Sequence, residues 1–544
     1  VDALKRRVTV LCHEHGDFIM LAVLFVAFRV LSVLFFRPGG YIRDYGDFIL
    51  YMGAASVTDE AYYPFLDFWL EYPPLFPWLF TSLYRLSLLI PPWLEDPRLW
   101  FYTLLSLSLI LFEIGNFILV YATALLFGDR HKALRTTMFY ALLFVPVYVL
   151  STDFDTIPLF FMLLGLYLLL RERSVSSGIV LGIGFCWKVT PIILLPVAVR
   201  TIPGWHEKIK HVAAAAISIV VLSIPFLYLD AHLYLIPFRA ALGRSSWETV
   251  WAAAEGFFSY GAVGGDRFDR AVTDFTIHSS TLPWLWITVA FGLIYLFFYT
   301  RPVDYRDKRK VLGLATLTLA LFMLYSKGYS PQFLVYLLPL ILLYCPAPRA
   351  IAYAVALSAL NFLEQPIYFV MFPGQHHFFI GIVAFRALLL MAIVIEGALA
   401  LFPARERVNW VWTRVMAALM VVLVIWGIWS GVTLGRVYYD DHYQAEPYRP
   451  AVEYLKEQAQ NGTGLLFTDP LAYRRVYPFL HTGLDLRVAR TGRPQWPDDV
   501  QGWTTAHPTF WLWRGDTTDP DLEDWLDEHT DLVNEESFGW GGLF

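Results

Sequence analysis

The sequence predicts an all-α polytopic membrane protein carrying a small C-terminal α/β soluble domain, and three observations support that prediction. Of the 544 residues, 57% are hydrophobic and only 16% are charged, whereas a soluble domain is nearer a quarter charged. The apolar residues come in repeated runs of about 20, each long enough to cross a hydrocarbon core of roughly 30 Å. Charge is also segregated: residues 437–544 hold 19 acidic and 8 basic residues, a net of −11, while the remainder is +5. Regions so different are suited to different solvents. The predicted domains are therefore 1–436 in the membrane and 437–544 outside it.

Taken in order, apolar runs lie near 17–36, 99–127, 133–151, 155–170, 175–188, 190–200, 209–230, 282–300, 311–326, 331–346, 351–371, 378–402 and 410–435. They make about 13 crossings. Basic clusters lie between them, among them Lys5-Arg6-Arg7, Arg130/Lys132/Arg135, Arg171/Arg173, Arg200/Lys208/Lys210, Arg306–Lys310 and Arg405/Arg407. The positive-inside rule assigns these to the cytoplasm, with the N-terminus inside and the C-terminus outside. The run from Asp17 to Phe36 lacks a small-residue cleavage site and exceeds a signal-peptide core, so it reads as a retained helix.

The run 73–92 reads as a helix lying at the interface, because one more crossing would put the later basic loops outside. The run 175–200 must cross twice in about 26 residues, which predicts a broken pair meeting near Lys188–Pro191, with irregular backbone lining a cavity. In the tail, 450–458 reads as a helix, GTGLLFTDP as a strand ending in a turn, and 519–530 as an acidic helix. Cys12, Cys186 and Cys345 lie far apart with no CxxC and no His/Cys ligand spacing. That argues against both a disulfide framework and a zinc site.

Residues 44–78, after the first run, carry Asp44, Asp47, Asp59, Glu60, Asp67 and Glu71 before turning through Pro73-Pro74. Carboxylates beside a span are costly and call for a function. Partial desolvation raises a carboxylate's pKa toward use as a general base. Asp47 is the candidate base and Asp44 its rival; a plain helix cap or a partner for Arg43 is the structural alternative. The expected topology puts this loop on the same side as Lys188, the 231–280 segment, Lys327, Gln332 and His376. Lys188 and Lys327 are candidates for holding a phosphate, with Arg239 and Arg244 behind them, although membrane lysines also snorkel. Asp153 and Asp155 form a DxD that reads as capping the helix from Thr156, not as a metal site.

Asp47 with Tyr51, followed by PFLDFWLEYPPLFP at 64–77, resembles the first outer loop of GT-C superfamily glycosyltransferases, in particular the mannosyltransferase-like proteins of glycosyltransferase family 87. KVTP at 188–191 and SKGYSPQFLVYLLPL at 326–340 resemble later elements in the family's order. The likeness covers most of the membrane region and none of 438–544. It implies inverting transfer of a hexose, mannose foremost, from a polyprenyl-phosphate donor to a lipid-linked or cell-surface glycan. The reaction would take place at the non-cytoplasmic face of the plasma membrane. It implies Asp47 as base and, within the matched motifs, Asp67, Glu71, Tyr72, Lys188, Lys327, Tyr329 and Gln332 as substrate-binding residues; Asp44 and His376 join them from the shared face of the expected topology. A donor with one phosphate requires no divalent metal and no other cofactor. The implied partners are the donor, a glycan or glycolipid acceptor and membrane lipids, not nucleic acid.

Two rivals remain. A transporter or flippase of a lipid-linked saccharide would use broken helices equally well, but the polar groups gather at one face and there is no inverted repeat. A ligase or polymerase using a diphosphate-linked donor would call for additional arginines.

Overall fold

The computed structural model describes residues 14–35, 47–91, 98–402, 406–439, 449–468, 483–489, 496–514, 520–537 and 542–543, with Tyr473, Val476 and Leu480. Among these, six helices are long and apolar enough to cross a membrane: Gly16–Phe35, Leu99–Ala124, Trp205–Gly243, Ala347–Met371, His376–Leu401 and Glu406–Tyr438. Shorter apolar helices, including Thr156–Leu170, Ser174–Trp187 and Trp284–Thr300, accompany them. Trp284–Thr300 buries none of its residues, as a lipid-facing helix would. The chain is a multi-span all-α membrane protein with a small mixed α/β C-terminal domain. It forms two compact units, Val1–Val424 and Ile425–Phe544.

Where elements depart from expectation, the causes are local. The run 133–151 is two helices, Arg130–Leu142 and Phe144–Thr152, separated by an extended Leu143 (φ −70°, ψ 134°). Pro146 lies four residues after Leu142; it has no N–H for that carbonyl and its ring would collide with it. The run 209–230 does not stop: the helix Trp205–Gly243 continues through a kink at Asp230 (φ −154°, ψ 94°). The Asp230 carboxylate accepts the backbone N–H groups of His232 (2.9 Å) and Leu233 (3.0 Å), restarting the helix as an N-cap does. Beyond the kink, Leu233, Ile236 and Ala240 are buried against Trp69, Val272 and Phe275.

The run 73–92 forms a helix, Leu75–Ser87, of 13 residues. At 1.5 Å per residue it is about 20 Å long, short of a span. Its Phe76, Phe80 and Tyr84 pack with Phe48, Tyr51 and Phe101. The break near 188 is present: Ser174–Trp187 ends at an extended Lys188 (φ −159°, ψ 147°), and a 3-10 turn follows over Thr190–Leu194. Ser174–Trp187 lies directly on Trp205–Gly243. A Cβ on Gly178 would stand 2.3 Å from the His211 carbonyl oxygen, and one on Gly182 2.5 Å from that of Ala215. Small residues permit this close approach.

Contacts gather the connections of the membrane unit at two chemically different ends. At one, Arg200 donates to the carbonyls of Tyr299 (2.6 Å) and Arg301 (2.8 Å), and Arg309 to that of Phe127 (3.2 Å). At the other, the acidic loop meets the segment after Gly243. Trp69 donates through its backbone N–H to the Arg267 carbonyl (3.0 Å) and through its indole to the Asp266 carbonyl (3.0 Å).

The C-terminal unit is a five-stranded sheet in the order β2 (Asp485–Val488), β1 (Gly464–Phe467), β3 (Phe510–Trp513), β5 (Gly542–Leu543), β4 (Glu536–Ser537). The β2–β1–β3 core is parallel and the β3–β5–β4 edge antiparallel. β1 is buried along its whole length, as a central parallel strand covered on both faces must be. The helices Arg449–Gln458 and Pro520–His529 and strand β1 occupy the stretches expected for them.

Candidate functional site

Asp47 opens the helix Phe48–Ser56, and its backbone N–H donates to the Thr152 carbonyl (2.8 Å), tying the loop to the end of the helix Phe144–Thr152. One helical turn later, Tyr51 returns its hydroxyl to Asp47 Oδ2 at 3.1 Å, as an i, i+4 spacing allows. Tyr72, from EYPP, donates to the same oxygen at 3.3 Å. Aromatic packing fixes both tyrosines. The Tyr51 ring stacks on Phe80 (5.5 Å) and meets Phe76 edge-on (4.8 Å), while Tyr72 meets Phe154 edge-on at 4.9 Å. Phe76, two residues after Pro74, stacks on Phe154 at 3.6 Å. The proline corner thus delivers Tyr72 to Asp47.

Burial pushes the Asp47 carboxyl above its ordinary range, against the pull of the Tyr51 hydrogen bond and of Lys188. Asp153, which also hydrogen-bonds Asp47, is pushed well above its usual range by burial and by the Asp47 charge. Two carboxyl groups this close do not both ionise readily. The rise is the larger at Asp153, so Asp47 is the acid that gives up its proton the more readily.

Asp155 does not act as a helix cap through its side chain. It receives the Lys188 ammonium at 2.7 and 2.9 Å and the Tyr336 hydroxyl, because the break after Trp187 aims Lys188 at it. The ammonium also lies 5.7, 5.0 and 4.9 Å from the ring centroids of Tyr72, Phe154 and Phe333. Lys188 therefore sits at the site with its charge already matched.

Other cations face the loop. Arg267 pairs with Glu71, its guanidinium 4.1 Å above the Trp69 ring. Arg244 lies 3.5 Å over Trp247 and donates to the Ala262 carbonyl (3.2 Å), within Coulombic reach of Glu71, Tyr72 and Arg267. Burial lowers the Arg244 pKa to about 10. Arg244 Nε and Arg267 Nη1 are buried and have no hydrogen-bond partner among the described residues. Arg267 was not among the sequence candidates: it lies 196 residues from Glu71, in a stretch (DRFDR) whose composition reads as solvated loop.

The remaining candidates have other engagements. Asp67 accepts the Tyr63 N–H at 2.8 Å and shapes the turn. Lys327 donates to the carbonyls of Leu242 (3.2 Å) and Arg244 (3.4 Å), capping the helix Trp205–Gly243, with its ammonium 5.3 Å from the Trp284 ring. Gln332 is half-buried in the 3-10 turn Pro331–Phe333, whose Phe333 reaches Lys188. Tyr329 is buried with the Arg386 guanidinium 3.9 Å over its ring. His376 stacks on Phe258 (4.4 Å) and hydrogen-bonds the Tyr368 hydroxyl (3.1 Å). Asp44 lies outside the described residues. Among the described residues, no group of three or more His, Cys, Asp or Glu side chains is arranged to hold a metal ion.

The arrangement offers a carboxylate of raised proton affinity, a second acid hydrogen-bonded to it, and guanidinium N–H groups without a partner among the described residues. No protein-family model matches the chain, and no curated protein is significantly similar to it.

Proposed function

We propose that this chain is a GT-C-type glycosyltransferase. It moves a hexose, mannose foremost, from a polyprenyl-phosphate donor to a hydroxyl of a lipid-linked or cell-surface glycan, with inversion. The observation that carries the reading is Asp47, a half-buried carboxylate of raised proton affinity gripped by Tyr51 and Tyr72 and bordered by cations. Asp47 takes the proton of the acceptor hydroxyl as that oxygen attacks the anomeric carbon. The bond from the anomeric carbon to the phosphate oxygen breaks, and its electron pair leaves with polyprenyl phosphate. Arg244 and Arg267, with unengaged guanidinium N–H groups, bind the phosphate as its charge grows. Lys188 orients Asp155 and holds the field around Asp47.

In this reading the chain crosses the membrane about 13 times, the short helices on either side of Lys188 together lining the site. The loop bearing Asp47 and the C-terminal domain are extracytoplasmic, and the polyprenyl tail lies in an apolar groove between helices. The test is transfer by the purified full chain from synthetic polyprenyl-phosphate mannose to a panel of glycan acceptors, beside Asp47→Asn. Transfer lost by about 10²–10⁴-fold in the variant supports the role of Asp47; normal turnover by the variant removes it. Absence of transfer by the wild type with every polyprenyl-phosphate hexose favours a lipid-saccharide transporter or a diphosphate-donor ligase.

A further inference from the structure

Phe268, the residue after Arg267, is 47% exposed, and so is Tyr62 of the acidic loop. Their rings meet edge to face, with centroids 5.5 Å apart and planes at 84°. Phe268 also rests on the buried Phe68, at 5.4 Å. Two segments distant in sequence thus build one aromatic corner.

The corner is held in place by the backbone around it. Arg270 donates to the Leu66 carbonyl (2.7 Å) and to the Asp230 carboxylate (3.0 Å), and the Trp69 N–H donates to the Arg267 carbonyl (3.0 Å). Asp266 accepts the Phe268 N–H (2.9 Å), and Asp67 accepts that of Tyr63 (2.8 Å). Rings fixed in this way give up little freedom when something binds to them.

The surroundings decide what the corner suits. Glu60, Asp266, Asp269 and Arg270, next to the rings along the chain, are all exposed. Such charges would be costly in hydrocarbon, so the corner faces water. A fixed, water-facing apolar surface marks a place of interaction. An aromatic face carries partial negative charge and attracts the C–H face of a sugar ring, whose hydroxyls can reach the neighbouring carboxylates. Three carboxylates against Arg270, itself paired with Asp230, disfavour an anionic ligand. The corner also borders the candidate site: Arg267 pairs with Glu71, and the adjacent Tyr72 donates to Asp47.

We propose that Tyr62 and Phe268 form a docking platform for uncharged hexose residues of the acceptor glycan, those beyond the residue whose hydroxyl reacts. In this assignment, which rests on the glycosyltransferase reading of Asp47, the acceptor is a neutral oligosaccharide chain and not a single sugar or an acidic polymer.

The experiment is saturation-transfer NMR on the detergent-purified full chain, without donor, using mannose oligosaccharides from the monosaccharide to the pentasaccharide. The pentasaccharide is expected to bind about tenfold more tightly than the monosaccharide, and an oligogalacturonide of equal length more weakly than the neutral chain. Tyr62→Leu and Phe268→Leu keep apolar bulk and remove a ring, and each should cut the gain with length by about fivefold. Phe268→Tyr keeps the ring and should keep the gain. The platform is overturned if the wild type shows no gain with length, or if both leucine variants show the full gain, as rings serving only as an interfacial anchor would. Preference for the acidic oligosaccharide overturns it too. Binding is read without transfer, so the two readings fail separately. A length gain lost in the leucine variants, beside a wild type that transfers no hexose, removes the transferase and leaves a glycan-docking surface. Asp47-dependent transfer without a length gain removes the platform alone.

Discussion

Asp47 and Asp153 compete for one proton, and the outcome sets the pH at which Asp47 can accept another. A general base must be unprotonated, so transfer should rise with pH through the Asp47 pKa. Burial has moved that pKa up from 3.8, and the acid limb of kcat/KM should fall at correspondingly higher pH. The hydrogen bond with Asp153 pulls the Asp47 pKa back down. Asp153→Ala removes the donor and should move the limb to higher pH; Asp153→Asn keeps an N–H donor and should leave it close to wild type. A limb unmoved by the alanine variant would show that the two acids are uncoupled. Arg267 makes a different prediction. If its free guanidinium N–H holds the donor phosphate, Arg267→Ala should raise the donor KM by roughly tenfold to a hundredfold, the worth of a charged hydrogen bond. Arg267→Lys should not rescue it, because an ammonium lacks the planar fork and the stacking on Trp69. An unchanged donor KM in Arg267→Ala would take Arg267 out of the site. At this scale the sequence exposes short-range geometry: Asp47 and Tyr51 are one turn apart, and a Pro-Pro corner signals a fixed Tyr72. It hides pairings such as Glu71–Arg267 and Lys188–Asp155, which depend on how distant segments pack.

The SKGYSPQF stretch illustrates how a recognisable motif can serve the backbone. Gly328 forms a β-bridge with Trp247, and a Cβ at Gly328 would stand 2.0 Å from atoms of the indole ring. Gly328→Ala should therefore displace Trp247 and the Arg244 guanidinium stacked on it. The expected cost is about 1–3 kcal/mol, the usual penalty for overpacking, read as a lowered unfolding temperature together with a raised donor KM. In a Trp247→Leu background the same glycine change should cost far less, because the colliding ring is gone. Equal losses in both backgrounds would place the cause elsewhere. Element boundaries were legible where local chemistry decides them, as at the break beside Lys188-Val189-Thr190-Pro191. Pro146 was equally visible, yet its apolar surroundings read as one uninterrupted span. The extension of the helix beyond Asp230 had no local signal, since the buried partners of Leu233 and Ile236 include Trp69, far away in sequence.

For the whole membrane unit, charge segregation and the contacts agree on two unlike ends. Carbonyls around 127 and 299–301 are bound by Arg309 and Arg200, bringing basic connections together. Asp47, Thr152, Glu71 and Arg267 meet at the acidic end. The proposed reaction requires the acidic end to face outward, and the positive-inside rule requires the basic end to face the cytoplasm; both follow from a single orientation. Cysteine labelling tests this directly. Cys186 and Cys345 are buried, so a Cys12→Ser background gives little signal of its own. Glu60 and Asp304 are exposed and belong to the acidic loop and to the connection before Lys308–Tyr325, respectively. A membrane-impermeant maleimide applied to intact cells should label Glu60→Cys and leave Asp304→Cys unlabelled until the membrane is permeabilised. The reverse pattern would put Asp47 in the cytoplasm. That location would remove the extracytoplasmic polyprenyl-phosphate donor from the mechanism, while the carboxylate, its tyrosines and the half-buried arginines would still need an anionic substrate from the other side.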